Sequence, residues 1–289
     1  MNGIILVDKP QDWTSHDVVG KLRGILHERR IGHSGTLDPM ATGLLVVFVG
    51  RATRAVEFAE ADSKRYVAGL RLGMTTDTQD TSGTVLSQVQ PQVSAAELAR
   101  ALEKFTGQIE QIPPMYSAIK VGGKKLYELA RRGESIERKP RSICIHSIEL
   151  LGSQGEDLLL DVSCSKGTYI RTLCHDIGQS LGCGACMSQL RRTQAGPFRL
   201  SDAHTLEQIA LAAESGTLDG ILLPMDSLFE QFPALTASQA DEKRLRCGNA
   251  IKCNALPGTY RVYSERGEFL LLGEASGGQL RTIKSFFEV

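Results

Sequence analysis

Gly32-His33-Ser34-Gly35-Thr36-Leu37-Asp38-Pro39-Met40-Ala41-Thr42-Gly43 runs without a break into Leu44-Leu45-Val46-Val47-Phe48-Val49, and the chain is organised around this stretch. Its glycines, proline and small hydroxyl residues disfavour any regular element, so it reads as a tight loop with Asp38 as its only acid. The apolar run that follows reads as a strand buried on both faces, which anchors the loop to the core. A lone carboxylate fixed ahead of Pro39 is a candidate for chemistry; the alternative is an ordinary Asp-Pro turn.

Upstream of the loop, Ile4 to Val7 is a short apolar strand leading to Lys9-Pro10. Ser15 reads as the N-cap of a helix with Asp17 in its first turn and Val18, Val19, Leu22, Ile25 and Leu26 at helical spacing. Downstream, Ala52 to Ala61 predicts a short helix, and Lys64 to Leu72 alternates so that Tyr66, Ala68, Leu70 and Leu72 share one face of a strand. Thr75 to Gly83 is a polar loop whose glycine and acid positions do not suit calcium, and no metal is expected. Ser94 to Glu97 is a capping box opening a scaffold helix through Phe105.

Ile112-Pro113-Pro114 breaks regular structure. From Pro113 to Arg141 follow eight basic residues (Lys120, Lys124, Lys125, Arg131, Arg132, Arg138, Lys139, Arg141) against three acids. Ile143 to Leu151 and Leu158 to Cys164 read as paired strands, and Lys166-Gly167-Thr168 leads into a helix with the apolar face Ile170, Leu173, Cys174, Ile177 and Leu181. Arg171 lies off that face, at the helix start, where the dipole disfavours a cation; the placement suggests a specific anionic partner, or else a surface salt bridge. Thr205 to Gln208 caps another helix. From Leu235 on, short apolar segments around Cys247–Ile251, Arg261–Tyr263, Phe269–Gly273 and Leu280–Ile283 alternate with turns, the pattern of a small β-barrel.

With 289 residues the chain is long enough for more than one domain. No apolar run reaches the ~20 residues of a membrane helix, and the N-terminus has no leader-like pattern, so a soluble cytoplasmic protein with no membrane partner is expected. Seven scattered cysteines fit a reducing compartment better than a disulfide framework, and Cys183-Gly-Ala-Cys186 has no partner pair at zinc-ribbon spacing. The charge balances at 33 basic and 33 acidic residues, but it is segregated: Asp202 to Phe232 holds six acids and no Lys or Arg. A polyanion responds to the field within about a Debye length, ~8 to 10 Å, so the neutral total does not argue against RNA.

The central loop, Asp8-Lys9-Pro10, Trp13 to Asp17, Lys64-Arg65-Tyr66, Pro113 to Ala118, Lys166 to Arg171 and Leu190 to Thr193 together resemble the TruB family of tRNA pseudouridine synthases, in order from about Gly3 to Pro224. The resemblance implies an α+β pseudouridine synthase fold with a mixed, largely antiparallel central sheet flanked by helices, plus a small C-terminal PUA-like β-barrel. It implies a catalytic domain over residues 1–230, with a basic RNA-binding thumb at about 113–141, and an RNA-binding domain over residues 231–289. The implied reaction is isomerisation of the T-loop uridine 55 of tRNA, with tRNA (the T-arm stem-loop) as the partner, no cofactor, and no obligate protein partner. Asp38 matches the catalytic aspartate. The implied substrate-binding residues are His33, filling the space left by a flipped nucleotide, Tyr66, stacking on the base, Tyr169 and Leu190, lining the uracil pocket, Arg171, pairing Asp38, and Lys9, supporting the floor behind the loop. One departure stands out: the family usually carries a glycine after Lys-Pro, where this chain has Gln11-Asp12-Trp13.

A carboxylate nucleophile must be ionised. Burial raises its pKa and a neighbouring guanidinium lowers it by ~1 to 3 units, which is the role expected of Arg171. Attack at C1′, deprotonation at C2′ and addition to C6 all suit a carboxylate. Two rival readings are a tRNA-folding chaperone in which Asp38 is merely structural, and a phosphate-binding enzyme, disfavoured because an acid sits in the loop and the loop enters a strand.

Overall fold

The computed structural model describes residues 1–60, 63–117 and 119–288, without the side chains of Glu60, Lys120 and Lys125. Ala61 of the expected helix, Ala118 and the Lys120 and Lys125 side chains lie outside the described residues.

The chain opens with β1 (Gly3–Lys9) and α1 (Ser15–Leu26). The cap of α1 is Thr14 rather than Ser15: the Thr14 hydroxyl accepts from Asp17 N at 3.0 Å and the Asp17 carboxylate accepts from Thr14 N at 2.8 Å. Ser15 is thereby free to point inward. β2 (Ile31–Ser34) and β3 (Thr42–Val49) follow. The first part of the supposed loop is therefore a strand, because pairing with Val46 to Val49 satisfies a backbone that local propensity leaves unordered. β3 is buried on both faces: Leu44, Val46 and Phe48 enter one apolar cluster, and Leu45, Val47 and Val49 pack with Val18, Val19 and Leu22 of α1 in another. A 3₁₀ turn and α2 (Val56–Glu60) lead to β4 (Lys64–Leu72).

Next come β5 (Met74–Thr76), β6 (Val85–Gln88), α3 (Ala95–Lys104) and β7 (Gly107–Gln111). The basic stretch holds the hairpin of β8 (Lys120–Val121) and β9 (Lys124–Lys125), turned by Gly122 and Gly123 at φ 57° and 82°, and then α4 (Leu126–Ala130). Arg138 donates to Pro113 O at 3.0 Å and draws the two ends of the insertion together. β10 (Arg141–Gln154), β11 (Asp157–Cys164), α5 (Ile170–Ser180), β12 (Ala185–Ala195), β13 (Phe198–Arg199) and α6 (Leu206–Ser215) complete this part.

Nine of these strands form one sheet in the order β1-β3-β12-β4-β11-β10-β7, with β2 on β3 and β13 on β12, while β5–β6 and β8–β9 are separate hairpins. Only the β3–β12 pairing is parallel, so the sheet is mixed and largely antiparallel. α3 and α5 cover one face over Leu70, Leu160 and Met187.

The C-terminal part holds β14 (Ala234–Ala237), α7 (Gln239–Arg246), β15 (Ile251–Lys252), β16 (Gly258–Ser264), β17 (Phe269–Ser276) and β18 (Gln279–Ser285). They make an open five-stranded sheet, β14-β16-β17-β18-β15. An all-strand reading misses α7, whose only buried residue is Leu245; a helix this polar carries no apolar period. Cys247 to Ala250 is the turn after that helix rather than a strand. Phe269 and Leu272 of this sheet, with Phe286 just past β18, share a cluster with Ile4, Phe48 and Phe229, so the C-terminal part is cemented to the central sheet.

Candidate active site

Between β2 and β3 the loop bearing Asp38 is pinned at several points. The Ser15 hydroxyl accepts from Leu37 N at 2.9 Å and donates to Leu37 O at 3.2 Å. Lys9, wholly buried, donates its ammonium to the carbonyls of Pro10, Trp13 and Pro39 at 2.8, 2.5 and 3.2 Å. Burial lowers the Lys9 pKa to about 8, against the pull of Asp12 and Asp38. All of its donors are used on carbonyls and none of its surface is open, so Lys9 supports the loop and does not itself face a ligand. Asp12 N donates to Pro39 O at 2.8 Å and Asp12 adopts φ 65°, a left-handed backbone that suits glycine. Asp12 lies in the Gln11-Asp12-Trp13 segment where the sequence departs from the family pattern.

Asp38 meets Arg171 Nε at 2.9 Å. The guanidinium reaches the loop from the first turn of α5 and is turned away from the helix dipole into a cage. Its Nη1 donates to Thr78 O at 3.0 Å and lies 3.6 Å from Asp80, while its Nη2 donates to Tyr116 O at 2.9 Å. Arg171 thus ties four segments together, and it is 6% exposed against 39% for the Asp38 side chain. Although the Asp38 side chain is exposed to that extent, burial by the surrounding protein pushes its carboxyl above the ordinary value. Arg171 pulls it down and Asp80 adds to the rise. Arg171 acts in the lowering direction expected of it, and burial outweighs it.

Asp80 is the site residue that the sequence reading passed over as part of a polar loop. It is 4% exposed and its Oδ1 accepts from the Thr78 hydroxyl, Ser82 N and the Ser82 hydroxyl at 2.7, 3.0 and 2.5 Å. Gln111, 2% exposed at the end of β7, is a second omission: it accepts from Tyr169 N at 2.8 Å and donates to Tyr169 O at 3.1 Å, setting the entry to α5. Neither position carries a local motif; an aspartate after Thr78 and a glutamine before Pro113 acquire meaning only through contacts distant in sequence.

Tyr66 and Leu190 pack with Leu37, Ala41 and Ile170 in one cluster beside Asp38. Burial pushes the phenol of Tyr66 upward in pKa, and it does the same to the half-buried Tyr169 at the N-cap of α5. His33 lies in β2 rather than in a loop. Burial, with His16 and Arg192 nearby, lowers its pKa to about 4, and its ring meets His16 edge-on at 5.3 Å. Its Nδ1 is buried without a hydrogen-bond partner, so no acid orients the ring as a base. Among the described residues no group of three or more His, Cys, Asp or Glu is placed to hold a metal, and no helix is long and apolar enough to cross a membrane.

Residues 23–170 match the family described as TruB family pseudouridylate synthase (N terminal domain), and residues 171–230 match the tRNA pseudouridylate synthase B C-terminal domain. Among solved structures, a chain in "Structure of H/ACA RNP bound to a substrate RNA containing 2'-deoxyuridine" superposes with TM-score 0.75 at 26% identity over 99% of this chain and 85% of that one. A chain in "Crystal Structure of a Cbf5-Nop10-Gar1 Complex" does so with the same score and coverage at 28% identity. The sheet and the loop bearing Asp38 are thus the framework of a pseudouridylate synthase. Within that class, the chain belongs to the TruB family. It is 45% identical to tRNA pseudouridine synthase B of Pseudomonas fluorescens (strain Pf0-1), over 96% of this chain and 92% of that protein. It is 44% identical to the protein of the same name from Syntrophotalea carbinolica (strain DSM 2380 / NBRC 103641 / GraBd1), over 97% and 90%.

Proposed function

We propose that this protein isomerises uridine 55 in the T-loop of tRNA to pseudouridine, with Asp38 as the catalytic carboxylate. The observation that carries the reading is the 2.9 Å contact of Asp38 with a caged arginine on a loop pinned from beneath. The reaction breaks the N1–C1′ bond, turns the uracil and rejoins it through C5, so it needs a positioned carboxylate, exclusion of water and a base taken out of its stack. Arg171 holds the Asp38 carboxylate in one orientation. Tyr66, Tyr169 and Leu190 form the apolar walls for the base, and His33 fills the space the nucleotide leaves. Lys9 acts from behind, by holding Pro39.

Residues 1–230 form the catalytic domain, the basic insertion at about 113–141 closes over the T-arm, and residues 231–289 serve as a PUA-like RNA-binding module. The enzyme works in the cytoplasm without an obligate protein partner. The basic stretch supplies phosphate contacts that read no sequence, so tRNA-folding activity can accompany catalysis.

The test is tritium release from C5-labelled uridine in unmodified tRNA transcript, comparing the parent with Asp38→Asn and measuring transcript binding in parallel. Release by the parent alone, with both proteins binding, supports the reading. Tight binding by both with no release by either makes the protein an RNA chaperone.

A further inference from the structure

Two glycines bracket the loop that carries Asp38, and both are bent into the left-handed region, Gly35 at φ 65° and Gly43 at φ 94°. Both are closed against a single residue. A Cβ on Gly35 would stand 3.0 Å from Arg192 Nη1, and a Cβ on Gly43 would run into the Arg192 backbone N and O. Arg192 lies opposite Gly43 in the parallel β3–β12 pairing, and its Nε donates to Leu44 O at 2.7 Å. The loop is thus met at its entry by the tip of this side chain and gripped at its exit by the Nε and the main chain.

Arg192 is 1% exposed, and its Nη2 is buried with no hydrogen-bond partner among the described residues. A guanidinium keeps its charge on burial, and taking it out of water is costly. An aliphatic side chain would fill the same space without that cost. What arginine adds is a planar, rigid fork of donors, which holds two points a fixed distance apart; neither an aliphatic chain nor a lysine does so. Here the two points are the ends of the Asp38 loop.

We propose that Arg192 is a positioning residue for Asp38: by fixing the two glycine hinges relative to each other, it holds the carboxylate against Arg171. This rests on the isomerase reading above. The charged groups that face the Asp38 carboxyl are Arg171 on α5, Asp80 in the β5–β6 loop and Lys9 on β1. A loop that loses its span lets Asp38 leave both the burial that raises its carboxyl and the arginine that lowers it. Burial is the larger of the two, so the freed carboxyl titrates lower, towards its ordinary value, while it sits worse for chemistry. An arginine that merely filled space would change the amount of folded enzyme, and neither the titration nor the rate per folded molecule.

The test measures kcat and kcat/KM for pseudouridine formation against pH, and transcript binding separately, for the parent, Arg192→Met, Arg192→Lys, Gly35→Ala and the double variant of Arg192→Met with Gly35→Ala. Arg192→Met is expected to lower kcat ~100-fold, the scale of a ~1 Å misplacement, with binding within about threefold of the parent. The acid limb of kcat/KM should move to lower pH. Arg192→Lys keeps the charge and loses the fork, and should recover less than ~10-fold of the loss. Gly35→Ala presses a Cβ onto Nη1 and should act in the same direction, its cost shrinking to less than about threefold in the Arg192→Met background. A slow Arg192→Met whose acid limb stays put, additive losses in the double variant, or full recovery in Arg192→Lys each overturn the proposal. If Arg192→Met does not fold, the kcat and acid limb of Gly35→Ala, which keeps the arginine, decide. A parent that forms no pseudouridine defeats the isomerase reading itself, whereas an active parent matched in rate by Arg192→Met defeats this inference alone.

Discussion

In the proposed reaction Asp38 has to be ionised to act, yet its surroundings raise its pKa. The acid limb of kcat/KM is accordingly expected to have its midpoint above ~4, the ordinary aspartate value. The same shift has a stability consequence. A carboxyl whose folded pKa exceeds its unfolded one contributes stability below the unfolded value and loses it as pH rises through the folded one. At pH 7 the Asp38 charge therefore opposes folding, and Arg171 keeps Thr78 O, Tyr116 O and Asp80 as neighbours without it. Asp38→Asn should abolish activity while unfolding, by calorimetry, at the parental temperature or up to ~3 °C higher. A fall of more than ~5 °C would mean that the ion pair outweighs burial. Asp12 offers a second case, since its φ of 65° is strained for a residue with a Cβ. Asp12→Gly should raise the unfolding free energy by ~0.5 to 1 kcal/mol, read from urea midpoints. A decrease would show that the attraction between Asp12 and Lys9 is worth more than the strain.

Among the elements, α5 carries the heaviest duty, because its first turn presents Arg171 to the loop while its apolar face packs on the sheet. Its N-cap, Tyr169, makes no side-chain cap, and the entry is held by Gln111 of β7. Gln111→Leu leaves the Tyr169 N–H unpaired, while Tyr169 O keeps its bond from Leu173 N, and is expected to cost ~1 to 3 kcal/mol of stability. Because Arg171 lies two residues on, kcat should fall more than KM rises. A parental kcat in that variant would detach the α5 entry from catalysis. Strands and helices with an apolar period were legible beforehand: β3 as a doubly buried run, β4 as an alternating one, and the Ser94 and Thr205 capping boxes. Among the elements missed, which include β7 and the central β12, β2 and α7 have no apolar period to read. β2 exists because β3 completes its hydrogen bonds, and α7 because Ser238 caps it and Leu245 anchors it.

For the molecule as a whole, the C-terminal sheet and the central sheet share an aromatic seam in which Phe286, fully buried, stacks on Phe269 at 5.1 Å and meets Phe229 at 5.8 Å. Phe286→Ala is expected to cost ~3 to 5 kcal/mol. A chain ended at residue 230 should expose Phe229 and the β3 face and bind a hydrophobic dye, as measured by fluorescence. A well-behaved, cooperatively folding fragment would instead make the two parts independent. The overall charge of zero also dissolves at this scale, since the basic insertion and the acidic Asp202–Phe232 segment are separate stretches of chain.

By itself the sequence determined the sheet-forming runs, the capping boxes, the loop with its single acid, and the arginine that needed an anion. These follow from local chemistry: periodicity, turn residues and the cost of a cation at a helix start. The tertiary structure alone decided which groups surround Asp38, that Asp80 and Gln111 belong to the site, that burial outweighs Arg171 at the carboxyl, and that Arg192 is buried on β12 opposite Tyr66. Those depend on register and on approaches between segments far apart in the chain, and desolvation is a property of everything packed around a group, which no stretch of neighbouring residues records.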